Sequence, residues 1–158
     1  MPRLIYILNG PNLNLLGERE PELYGRATLE EVEALCKSRA TTHGLSIDFR
    51  QSNFEGALIE SVHEARKAAA GIIINPAGLT FTSVSLLDAL KMFDGPKIEF
   101  HITQIHKRDE IYHRSLVSKT ATVVMAGLGP NGYGLAIDAM AMLLAQDVKP
   151  ASARERAT

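Results

Sequence analysis

The chain has 158 residues, with 17 Lys and Arg against 18 Asp and Glu and a net charge of −1. Balanced charge carries no electrostatic signature for nucleic acid or an anionic membrane. No apolar run approaches the roughly 18 residues of a span, and no charged start leads into an apolar signal segment.

Residues 1–148 read as one domain, long enough to bury a core, with a polar frayed tail over 149–158. The run Leu4–Leu8 predicts a fully buried strand. After it comes a stretch without periodicity, from Asn9 to Gly25, bracketed by the turn pair Gly10-Pro11 and by two possible hinges, Gly17 and Gly25. Loops of this length in compact domains are functional lids or disordered. This one carries Arg19 and Tyr24, and a guanidinium beside a phenol favours the tyrosinate. An ordinary polar loop with a packed Tyr is the competing reading.

Thr28-Leu29-Glu30-Glu31 forms a capping box, opening a helix to His43 that Gly44 stops. A strand over Leu45–Arg50, a helix over Phe54–Ala70 and a buried strand over Gly71–Asn75 follow. Next come a helix from Ser83 to Phe93, strands over Lys97–Ile102 and Ala121–Ala126, and a last helix over Gly132–Ala145. Strands alternating with helices predict an α/β fold, a doubly wound five-stranded parallel sheet covered on both faces. The single Cys36, on a helical pattern, reads as a core residue and fits a reducing cytoplasm.

Ligands in such sheets bind beyond the carboxyl ends of the strands. That rim collects Asn9, Asn12, Arg19 and Tyr24 after strand one, Asn75 after strand three, and Glu99 with His101 on strand four. Amides, a phenol, an imidazole and a carboxylate are the groups of an acid–base site for a small molecule. His43 and His63 lie on helices away from it; His106 and His113 are near it in sequence but read as surface residues. No Cys/His cluster has metal spacing and no Gly-x-Ser-x-Gly elbow occurs, so neither a metal nor a cofactor is predicted. Gly127-x-Gly129-x-x-Gly132 matches a dinucleotide fingerprint, but no strand follows its helix. It reads as a tight turn or an anion-holding helix start.

Laid end to end, these residues resemble the type II 3-dehydroquinate dehydratases, small dehydroquinases of flavodoxin-like fold. The resemblance spans about residues 3–145. It is carried by Asn9-Gly10-Pro11-Asn12-Leu13, Leu16-Gly17-x-Arg19-Glu20-Pro21-x-x-Tyr24-Gly25 and Arg50-Gln51-Ser52. Asn75-Pro76-x-Gly78-x-Thr80-x-Thr82-Ser83-Val84, Asp88-Ala89, Glu99-x-His101-Ile102, Arg108, Ser115 and the glycine motif running into Tyr133 complete it. It implies a water elimination from a β-hydroxy ketone through an enolate. Tyr24 would be the base, activated by Arg19. Asn12 would stabilise the enolate through a water, and His101, oriented by Glu99, would be the acid. Asn75 and the amides of Ile102 and Thr103 would hold the substrate, with Asp88 reaching a neighbouring subunit's site. A dodecamer of four trimers is implied too, as is a place in shikimate biosynthesis or quinate breakdown.

Two positions depart from the family pattern. A His that grips ring hydroxyls in the family is Phe81 here, in Thr80-Phe81-Thr82-Ser83. A second gripping residue, an Arg, is Tyr112, and Arg114 could replace it only with a backbone shift. Thr103 and Gln104 stand where Ser and Asn are common. Three readings follow: a dehydroquinase with altered substrate grip, a paralogue acting on a related cyclic β-hydroxy ketone, and a non-catalytic ligand-binding homologue.

Overall fold

The computed structural model describes residues 1–146, so the tail predicted over 149–158 lies outside the described residues. Five strands form one parallel sheet: β1 (Arg3–Asn9), β2 (Leu45–Gln51), β3 (Gly71–Asn75), β4 (Lys97–His101) and β5 (Val123–Ala126). Their order is β2-β1-β3-β4-β5, the flavodoxin-like winding, which reverses direction between β1 and β3.

The strand sequences are apolar at consecutive positions because both faces are covered. Ile5 and Ile7 pack with Val32, Cys36, Ile137 and Met140 from α2 (Leu29–Thr42) and α5 (Gly132–Gln146). Tyr6 and Leu8 point the other way, onto Leu58, Val62, Leu86 and Leu90 of α3 (Glu55–Ala68) and α4 (Val84–Lys91). This period of two is a strand property, and each side chain so buried contributes about 1.5–3 kcal/mol. In β4 the same alternation sends Ile98 and Phe100 into the first layer and puts Glu99 and His101 together on the opposite face.

The Thr28–Glu31 capping box closes as predicted, with both reciprocal hydrogen bonds formed. Ser83 caps α4 through its hydroxyl and so stands just before the helix. Cys36 is fully buried, which pushes its thiol up to about 12, away from nucleophilic use.

The stretch after β1 is more ordered than its lack of periodicity predicts. Leu13–Leu15 make a 3-10 turn and Pro21–Tyr24 a single helical turn, α1, which Pro21 starts with its preset φ. Leu13, Leu16 and Tyr24 are buried and tie the segment down, so a short apolar set does the work of a long pattern.

Candidate active site

The carboxyl ends of β1, β3 and β4 deliver their loops to one place. Gly10 donates its N–H to the Asn75 carbonyl at 2.8 Å, joining the loops after β1 and β3. A Cβ at Gly10 would sit 2.3 Å from the Pro76 oxygen, so only glycine allows the approach. Between these loops and the segment after β4 lies a cavity of about 220 Å³, below the roughly 300–1,000 Å³ common for ligand pockets, which limits it to a small, compact ligand.

Of the residues predicted for the site, Asn12, Arg19, Tyr24, Asn75, Phe81, His101, Ile102, Thr103 and Tyr112 line this cavity. Arg108 joins them. Two guanidiniums and no carboxylate among the lining residues make it a cavity for an anion. Glu99 is fully buried behind His101 and does not face the space. Asp88 stands exposed on α4, outside this cavity. Asn9, grouped with the rim from sequence, is buried and does not reach the cavity. Its side chain is spent inside the fold, donating to the Arg50 carbonyl and accepting from Tyr133.

Tyr24 is only 8% exposed, and two guanidiniums lie near its ring. The Arg19 Cζ lies 4.5 Å from the ring centroid and the Arg108 Cζ 5.5 Å from it, both within cation–π range.

His101 Nε2 and Glu99 Oε2 are 2.6 Å apart. Burial by itself would raise the Glu99 carboxyl, but hydrogen bonds from His101, Ser115 and Ser118 outweigh it and hold the group below its ordinary value. An ionised carboxylate only accepts, so Nε2 carries the hydrogen and Nδ1 is left for a ligand.

Asn75 is set by a hydrogen-bonded chain across the fold. Its Oδ1 accepts from the Ala77 N–H, and its Nδ2 donates to the Tyr133 hydroxyl at 3.0 Å. That hydroxyl, pushed up by burial, donates in turn to Asn9. Asn12 has a left-handed backbone, φ 72°, and its N–H is held by Asn53 Oδ1 at 2.9 Å. Left-handed non-glycine residues concentrate at functional sites, where neighbours hold them in place.

The far wall is aromatic. Phe81 lies nearly parallel to the His101 ring, centroids 6.3 Å apart, and meets Tyr112 edge to face at 5.5 Å. Arg108 stacks over Tyr112 at 4.0 Å. Arg114 does not line the cavity, so it does not stand in at position 112.

His43, His63, His106 and His113 are exposed, and none lines the cavity. The glycine motif serves geometry: Gly127 and Gly129 have positive φ, and a Cβ at Gly132 would press on Leu128 and the Phe100 ring. Sequence reasoning assigned no role to Arg108, Ser115, Ser118, Asn53 or Tyr133. Only Arg108, Ser115 and Tyr133 left a trace in it, as matches to a motif.

The profile of the class II dehydroquinase family matches residues 3–141. The chain is 54% identical over 145 residues to a 3-dehydroquinate dehydratase of Cereibacter sphaeroides, covering 92% of this chain and 99% of that one. It is 55% identical to one from Methylobacterium radiotolerans, covering 89% and 95%. The crystal structure of a type II dehydroquinase from Propionibacterium acnes superposes with a TM-score of 0.86 at 37% identity, over 90% of this chain and 98% of that one. A family profile over the whole sheet, relatives above half identity and a matching fold agree: the chain belongs to the class II dehydroquinases.

Proposed function

We propose that this chain eliminates water from 3-dehydroquinate through an enolate, giving 3-dehydroshikimate. One observation carries the reading above the rest: a small cationic cavity holds a phenol beside two guanidiniums together with an imidazole backed by a buried carboxylate. Those are the base and acid that such an elimination needs.

The substrate carboxylate is held by the amides of Ile102 and Thr103, with Asn75 on a neighbouring polar group. Tyr24, as tyrosinate, takes the proton beside the ketone, and the electron pair moves onto the ketone oxygen. Asn12, through an ordered water, stabilises that enolate oxygen. The enolate then collapses, the bond to the β-hydroxyl breaks, and His101, carrying a hydrogen on Nδ1 as well as on the Nε2 that faces Glu99, gives up the Nδ1 proton with which the hydroxyl leaves as water. The segment carrying Arg19 and Tyr24 covers the ring and excludes solvent. Incubation with 3-dehydroquinate should produce the ultraviolet absorbance of the conjugated enone. A flat trace from folded protein overturns the reading.

His101→Ala separates the two halves of the reaction. The variant should still exchange the substrate's α-proton with deuterated solvent while losing elimination by about 10²- to 10⁴-fold, the worth of a positioned acid. Equal loss of exchange and elimination would take His101 out of the acid's role.

The aromatic wall favours a second reading, a paralogue acting on a related cyclic β-hydroxy ketone. Phe81 offers no hydrogen bond, so a ring hydroxyl facing it would be desolvated without a partner. A substrate lacking a hydroxyl there fits that wall better.

The assembly we infer is a dodecamer of four trimers in a cytoplasmic setting, with Asp88, exposed in the single chain, meeting a neighbour's cavity. Among the described residues no helix is long and apolar enough to cross a membrane. Sedimentation of the purified protein tests the assembly.

A further inference from the structure

We infer that Ser115 and Ser118 are positioning residues for the acid, aligning Glu99 so that it holds His101 for the leaving hydroxyl. The inference rests on the reading of His101 given above and deepens it. Ser115 Oγ donates to Glu99 Oε1 at 2.7 Å and Ser118 Oγ to the same oxygen at 2.8 Å, while Oε2 faces His101 at 2.6 Å. One carboxylate oxygen is thus committed to the two serines and the other to the imidazole.

The direction of these bonds is determined locally. The Ser118 N–H donates to Ser115 Oγ at 3.0 Å, which occupies a lone pair of that hydroxyl and leaves its hydrogen for the carboxylate. The turn is held in place as well. Val117 between the serines is buried, and the Leu116 N–H donates to the Thr80 carbonyl at 2.9 Å. The two hydroxyls therefore arrive at Glu99 from a turn fixed by its own packing, not from a mobile loop.

A fully buried carboxylate needs such donors. Hydrogen bonds to the charged form offset its desolvation, and bonds to an ionised acceptor are the short, strong ones. Without the serines, Oε1 would lose both donors, and the carboxylate could rotate or share its charge with His101 less well. The acid step would suffer, while the base step at Tyr24, built on other elements, would not.

The experiment is Ser115→Ala/Ser118→Ala, assayed for both elimination and α-proton exchange with 3-dehydroquinate in deuterated solvent. Elimination should fall roughly tenfold to a hundredfold, as for lost hydrogen bonds to a charged group. Exchange and KM should stay near the parent values. Threonine at both positions keeps the hydroxyls and should restore elimination. In a Glu99→Gln background, the double alanine change should add little, because the serines act through Glu99. Unchanged elimination in the double alanine variant overturns the inference if His101→Ala still shows its selective loss. So does equal loss of exchange and elimination, or a full additional loss in the Glu99→Gln background. If His101→Ala shows no selective loss, the reading of His101 has failed, and the inference falls with it.

Discussion

Tyr24→Phe is expected to lower kcat on the order of 10³- to 10⁴-fold, at the upper end of what a positioned general base supplies. KM, or the affinity for a non-reacting analogue, should change little. The substitution removes one oxygen and keeps the ring beside Arg19 and Arg108. Tyr24 is buried among Leu13, Leu16 and Ile102 in an apolar cluster, so phenylalanine preserves its packing. Loss of exchange together with elimination is the required signature, since no enolate forms without the base. It also separates this variant from His101→Ala, in which exchange survives. A Tyr24→Phe protein retaining a tenth of parental kcat would remove the phenol from its role.

The second large effect is a gain. Phe81→His combined with Tyr112→Arg should raise kcat/KM for 3-dehydroquinate, because both positions would regain groups able to bind its ring hydroxyls. If each restored contact contributes about 1.4 kcal/mol, the pair would give on the order of a hundredfold. The Phe81 and Tyr112 ring centroids are 5.5 Å apart, and the Arg108 Cζ lies 4.0 Å from the Tyr112 centroid, so the two changes are coupled and the sum is an upper guide. A third guanidinium beside Arg19 and Arg108 would also repel them, which makes Phe81→His alone the cleaner first step. If the double variant is no better than the parent, the aromatic pair is a neutral filling of the wall in a working dehydroquinase. A gain confined to 3-dehydroquinate, with a loss on analogues lacking a ring hydroxyl, would show that these two positions set specificity.

The sheet, its helices and the Thr28–Glu31 cap were legible in the chain, because periodicity and capping depend on residues a few positions apart. The shared face of Glu99 and His101 was legible for the same reason: a strand returns to one side every second residue. The motif around Asn12, Arg19 and Tyr24 marked the segment after β1 as a candidate for function, but its turns and burial did not show. Irregular segments take their path from a few apolar contacts, here Leu13, Leu16 and Tyr24, and these leave no periodic trace. Tertiary structure alone decided which side chains meet across long separations. It put Arg108 beside Tyr24, Phe81 against Tyr112, and Ser115 and Ser118 on Glu99. It also withdrew Asn9 from the rim, where Tyr133, 124 residues away, takes up its side chain. Local pattern dictates which face a residue occupies; what it meets there depends on how distant segments pack, and packing is a property of the whole fold.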